Sequence, residues 1–258
     1  MALPRLNTPA LLRLVQKGAS AALDLMLPPT CLGCGTAMGE SHGLCVACWS
    51  TIVFLGPPAC ARCGLPFAYD AGDGALCAVC IGSDSAIDRL RAVFAYDDKS
   101  RGLILSFKHG DRLQGARAFG RWLARAGRPL IEPETIVVPV PLHWTRLFSR
   151  RYNQSALLSQ ALVREFRMVH GLAIEVAPEL LDRRRRTRPQ GRLGRMSRQE
   201  NIRGAFKVAD PAKVRGKRIL LVDDVLTTGA TVEECARVLK RAGAAHVDVL
   251  TLARVLRA

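Results

Sequence analysis

The chain has 258 residues, 49% hydrophobic and 23% charged, which excludes wholesale disorder and allows one sizeable core with an appendage or two small domains. A formal net charge of +16 biases it electrostatically toward polyanions such as nucleic acid or phosphorylated metabolites, although a general preference for arginine would give the same figure. No stretch approaches the roughly 20 uncharged apolar residues of a membrane span, so no membrane insertion is expected and the expected compartment is the cytoplasm.

Residues 8–27 place leucines and alanines at helical spacing, interrupted by Arg13, Lys17 and Asp24. This predicts an amphipathic N-terminal helix within residues 1–28 rather than a signal-peptide core. Residues 29–84 hold eight of the nine cysteines as four C-x-x-C pairs: Cys31/Cys34, Cys45/Cys48, Cys60/Cys63 and Cys77/Cys80. A reducing compartment keeps thiols free unless something binds them, so the pattern asks for metal rather than disulfides. Two pairs aimed at one ion give the tetrahedral thiolate set that zinc prefers, and with every position filled by sulfur the sites are structural rather than catalytic. Consecutive pairing would put Cys31, Cys34, Cys45 and Cys48 in one site and Cys60, Cys63, Cys77 and Cys80 in the other. Short loops favour it, and nested or interleaved pairings stay open. The ninth, Cys235, reads as a small buried hydrophobe in a helix.

From residue 85 the texture changes to an α/β domain, expected over 85–258. "DRLRAVFAYD" reads as a strand, residues 100–107 and 113–126 as helices, and "TIVVPVP" as a buried strand ending in prolines. A helix is expected over residues 152–166 and a further strand in "AIEVAPELL". The polar, arginine-dense "RRRRTRPQGRLGRMSRQENI" follows, and then "AFKVAD", "KRILLVDD" and "AHVDVLTLARVL" read as strands, with a helix over 230–242 before the last. Alternating β and α segments imply a mainly parallel sheet flanked by helices, whose ligands bind beyond the carboxyl ends of the strands.

"ILLVDDVLTTGAT", residues 219–231, lies at such an end. The apolar run predicts a strand buried on both faces, with Asp223 and Asp224 emerging where the chain turns. The following helix N-terminus, with Thr227, Thr228 and Thr231 as hydroxyl donors and Gly229 for close approach, suits a phosphate. Phosphate beside two carboxylates implies a phosphorylated polyol such as ribose 5-phosphate, its hydroxyls donating to the acids. No Walker A loop and no G-x-G-x-x-G fingerprint follows any strand, which removes nucleoside-triphosphate and dinucleotide folds.

That segment resembles the phosphoribosyl pyrophosphate (PRPP) motif of type I phosphoribosyltransferases. With the cysteine module in front, the chain from about residue 25 onward resembles the ComF family, the double-zinc-ribbon, phosphoribosyltransferase-like group that includes ComFC and GntX. The resemblance implies that Asp223, Asp224, Val225, Leu226, Thr227, Thr228, Gly229, Ala230 and Thr231 contact PRPP, and that Mg2+, held mainly by the substrate, bridges pyrophosphate and ribose. "VPVPLHWTRLFSRRYNQSALLSQAL" is similar to the family segment that forms the pyrophosphate loop, which implies roles for Pro141, Leu142, His143 and Arg146, with Arg151, Tyr152, Asn153 and Gln154 opening the next helix. Arg151 stands where the family commonly has glycine. The arginine-dense segment resembles a loop that closes over PRPP, so Arg188 and Arg198, together with Asp223 and Asp224, are the expected catalytic residues, and Arg186 and Arg192 belong to the same loop. Closure would neutralise the leaving pyrophosphate and exclude water.

"SFKHGD" resembles a further family stretch near the site, with Lys108 to Asp111. His109 and His143 are isolated, neither is a convincing general base, and the acceptor's own acidity would serve instead. The setting implied by resemblance is DNA uptake in natural transformation, with a ComFA-type helicase as partner. Two other readings compete: a non-catalytic single-stranded DNA binding protein, and a nucleobase salvage transferase. With aromatics at 5%, DNA contact is expected to be mostly to phosphate and therefore sensitive to salt.

Overall fold

The structure is a computed structural model that describes residues 30–39, 43–108, 115–142, 152–185 and 202–256. The expected N-terminal helix lies outside the described residues. The chain divides into two compact units, residues 1–49 and 50–258.

In the first unit the turn after Cys31 closes through a bridge between Thr30 and Ala37, and the short helix α1 (Val46–Trp49) carries Cys48. In the second unit the pattern repeats, with a bridge between Ala59 and Pro66 and a short helix α2 (Ala78–Ile81) that carries Cys80.

A five-stranded sheet follows, built from β1 (Arg89–Ala95), β2 (Thr135–Pro139), β3 (Glu175–Val176), β6 (Arg218–Leu226) and β7 (His246–Arg254). Its order is β1-β7-β6-β2-β3, and every neighbouring pair is parallel. All five residues of β2 and the run from Ile219 to Val222 in β6 are buried, as a sheet covered on both faces requires.

Helices α3 (Asp98–Lys108), α4 (Gly115–Gly127), α5 (Gln154–His170) and α6 (Ala230–Arg241) complete the domain. On one face, Cys235, Ala236 and Leu239 of α6 join a core with Ile219, Leu221, Val247 and Val249. Helices α4 and α5 pack tightly on each other, because Gly120 lies where a Cβ would come within 2.8 Å of the Ala161 backbone.

Four expectations need correction. The helix expected over 152–166 starts at Gln154, because Asn153 caps it by accepting the Ser155 N–H, and it runs to His170, where Gly171 takes a left-handed conformation at φ 67°. "AIEVAPELL" is two short strands rather than one. Only Glu175 and Val176 pair with β2, and the chain then turns through Ala177 to Leu180 into β4 (Leu181–Arg183). "AFKVAD" supplies β5 (Phe206–Val208), which leaves the main sheet to pair antiparallel with β4. Finally, β6 does not turn at its acids: the ladder to β7 continues through Asp223–Thr251 and Val225–Ala253 to Leu226–Arg254. Among the described residues no helix is long and apolar enough to cross a membrane.

Candidate functional site: two thiolate centres and a strand-end crevice

The eight paired cysteines form two clusters, Cys31/Cys34/Cys45/Cys48 and Cys60/Cys63/Cys77/Cys80, with all sulfurs of a cluster within 4.8 Å of one another. Consecutive pairing is therefore the arrangement found. Zinc at about 2.3 Å from each sulfur places tetrahedral ligands about 3.8 Å apart. The Sγ atoms of Cys34 and Cys45 are 3.8 Å apart and those of Cys63 and Cys77 are 3.7 Å apart, so the donor sets fit zinc. Backbone N–H groups already point at the sulfurs, from Cys45 to Cys31 and from Cys77 and Cys63 to Cys60. Gly35 and Gly64 take φ of 78° and 64°, which lets each turn close.

The same donors set the thiol acidities. The Thr36 hydroxyl and N–H draw Cys34 down to about 6. Burial raises Cys60, but N–H groups of Cys63 and Cys77 outweigh it and bring the thiol to about 6. Burial and the neighbouring thiols push Cys48 up to about 12. Protons and metal compete for these sulfurs, so metal retention weakens as pH falls.

The second constellation lies at the carboxyl ends of β2 and β6. The chain leaves β2 toward β3 in one direction and β6 toward β7 in the other, so a crevice opens between the ends of these adjacent strands. The N–H of Val140 donates to the Val222 carbonyl, which sets Pro141 and Leu142 next to Asp223. Asn153 Nδ2 reaches the Val140 carbonyl, and Ser155 Oγ donates to Asp223 Oδ1 at 3.0 Å. The same oxygen accepts the Asp224 N–H at 2.9 Å. Strand β2, helix α5 and strand β6 are thus stitched together around one carboxylate.

Beyond Leu226, Thr227 is exposed and Thr228, Gly229 and Thr231 are half-buried, while Ala230 is buried. Gly229 is the N-cap of α6 at φ 80° and has no side chain to cap the helix, while Thr228 Oγ1 accepts the Ala230 N–H at 3.4 Å. The left-handed turn leaves the positive end of a 12-residue helix facing the loop, which favours an anion. Asp223, Asp224 and Val225 are half-buried. An open cleft of about 340 Å³ adjoins these residues' neighbours, lined by Pro141 and Leu142, Asn153, and Pro178, Leu181, Asp182, Arg183 and Arg184. His143, Arg146, Arg188 and Arg198 lie outside the described residues, as do His109, Asp111, Arg151, Arg186 and Arg192. Cys235 is fully buried, and burial, reinforced by the Asp223 charge, raises its thiol well above the ordinary value.

Sequence reasoning missed Ser155. It falls inside the helix expected over 152–166, and nothing in the sequence linked it to a carboxylate 68 positions away.

The cysteine clusters and the strand-end crevice define a double-zinc-ribbon protein with a phosphoribosyltransferase domain. A model of the double zinc ribbon domain matches residues 22–82, and one of the phosphoribosyl transferase domain matches residues 153–257. The chain is 34% identical over 239 residues to the DNA utilization protein YhgH of Salmonella typhimurium, covering 90% of this chain and 100% of that protein. It is 32% identical over 232 residues to Competence protein F of Haemophilus influenzae, covering 87% and 96%. To Competence protein ComFC of Bacillus subtilis it is 26% identical over 219 residues, covering 82% and 84%. The chain belongs to the ComF family.

Proposed function

We propose that the crevice binds PRPP or a related phosphoribosyl ligand with Mg2+, and that the chain serves DNA utilization. The observation that carries the first part is the Asp223 carboxylate, held on one oxygen by Ser155 and the Asp224 N–H, beside a loop that leads to the glycine-started N-terminus of α6. A held carboxylate accepts ribose hydroxyls without first being ordered, and the helix end takes the 5′-phosphate. Mg2+ is a hard ion that takes oxygen ligands, and paired carboxylates with substrate oxygens suit it. It would offset the charge of the pyrophosphate; Asp224 and the threonines orient the sugar. Pro141 and Leu142, with His143 and Arg146 beyond them, are assigned to the pyrophosphate, and Arg188 and Arg198 to closure over it. The cleft lined by Asn153, Pro178 and Arg184 is where an acceptor would enter.

The DNA part rests on the names of the YhgH and competence relatives and on the +16 charge. In that setting single-stranded DNA and a ComFA-type helicase are the proposed partners.

A melting experiment tests the ligand reading. PRPP with Mg2+ at 100 times its Kd should stabilise the protein by about 2.7 kcal/mol, a rise of roughly 5–10 °C at this size. No shift at any concentration would remove the reading. The Ser155→Ala variant should fold normally and bind the ligand about 10- to 150-fold more weakly, because a charge-assisted hydrogen bond is worth about 1.5–3 kcal/mol. Unchanged affinity would show that Asp223 needs no such support.

A further inference from the structure

Two half-buried arginines of the sheet, Arg91 and Arg254, reach the second thiolate centre, and a third, Arg62, ties the centre's own loops together. Arg62 Nη1 donates to the carbonyls of Cys80 and Ser83 at 3.0 and 3.1 Å. Arg91, on β1, donates to Ala61 at 3.0 Å. Arg254, the last residue of β7, donates to the Cys63 carbonyl and reaches Cys63 Sγ at 3.7 Å. The backbone is joined as well: Leu90 N–H donates to the Arg62 carbonyl, and a Cβ on Gly64 would meet the Leu90 oxygen at 2.8 Å. Residues 53–55 run along the outer side of β1, with Leu55 N–H on Val93 and Ala95 N–H on Val53. Phe54 packs edge-on against Trp122 at 5.6 Å.

We infer that Arg254 is the outer-sphere cation of the Cys60/Cys63/Cys77/Cys80 zinc site, and that it fixes this metal to the sheet. Zinc with four thiolates carries net negative charge, and a guanidinium on one ligand's sulfur and carbonyl offsets that charge and holds the ligand in place. It also slows the departure of Cys63 by which the metal would leave. The backbone of Arg254 is paired in register with Leu226 of β6 and Ala95 of β1, so the cation is presented by the sheet rather than by a flexible arm. The other centre is built differently: Cys34 is exposed and receives the Thr36 hydroxyl.

Metal release from the full-length, two-zinc protein into a chromogenic chelator tests this without any phosphoribosyl ligand, so its outcome is independent of the proposed function. Wild-type protein should release zinc in two phases, and Cys34→Ser should remove the fast one. Arg254→Gln should speed the slow phase by about 10- to 100-fold and leave the fast phase unchanged. Arg89→Gln is the stability control, because its ion pair with Asp248 joins β1 to β7 away from Arg254. It should leave the slow phase well short of the roughly 10-fold change that loss of an outer-sphere partner produces. Should Arg254→Gln fail to fold, Arg254→Lys keeps the charge without the two-pronged donor and should lie between wild type and the 10-fold bound. A slow phase unmoved by both Arg254 variants, or moved equally by Arg89→Gln, overturns the inference.

Discussion

Asp223→Asn combined with Asp224→Asn is expected to weaken PRPP binding by at least about 100-fold while leaving the fold intact. Each carboxylate that accepts a ribose hydroxyl or faces a magnesium-bound oxygen contributes roughly 1.5–3 kcal/mol through its charge, so losing two costs about 3–6 kcal/mol. Stability should change by less than about 1 kcal/mol. Both residues are half-buried, and an asparagine carbonyl still accepts from Ser155 Oγ and the Asp224 N–H, the contacts that hold Asp223 now. The ladder from β6 to β7 runs through backbone groups that the change does not touch. Equilibrium titration alongside circular dichroism reads both quantities. A folded double variant with wild-type affinity would mean that the acids face something other than the ligand.

The second large effect is expected from metal removal. Structural zinc contributes on the order of 10–16 kcal/mol to folding in zinc-finger peptides, against a total stability of about 5–15 kcal/mol for a domain. Residues 60–80 have a small apolar core around the cysteines, with Leu65 and Phe67 packed on it. Stripping the metal should therefore unfold both thiolate centres. The damage should extend to the sheet, because Val53, Leu55 and Arg62 supply backbone partners for β1. A fall in Tm of about 10 °C or more is expected for residues 50–258, equivalent to roughly 3–4 kcal/mol at this size. Hydrogen exchange at Leu55, Leu90 and Ala95 should rise with it. Protein confirmed to have lost both zinc ions yet melting within about 2 °C of the loaded form, less than about 1 kcal/mol, would contradict the structural role.

Much of this was legible in the sequence where one physical requirement dictates residue type and spacing. Four C-x-x-C pairs leave little freedom in what they bind, and the run from Ile219 to Val222 has to be buried on both faces. What escaped depended on long-range pairing. Asp223 and Asp224 look like the end of a strand because they are charged, yet β7 pairs past them and carries the strand to Leu226. Pro178 sits inside "AIEVAPELL", but the antiparallel partner that claims Leu181 to Arg183 is Phe206 to Val208, about two dozen residues on. The attachment of Cys63 to Arg254 spans 191 positions and has no local signature. Ser155 reads locally as part of a helix, and its contact with Asp223 comes from the sheet order.

The most direct measurement is a calorimetric titration of zinc-loaded protein with PRPP, with and without Mg2+, and with ribose 5-phosphate for comparison. Saturable PRPP binding that needs Mg2+ and exceeds that of ribose 5-phosphate is the predicted result, since the pyrophosphate and its metal add contacts that the sugar phosphate lacks. No heat of binding for either ligand, with both zinc ions in place, would contradict the assignment of the crevice to a phosphoribosyl ligand and leave the fold as a scaffold.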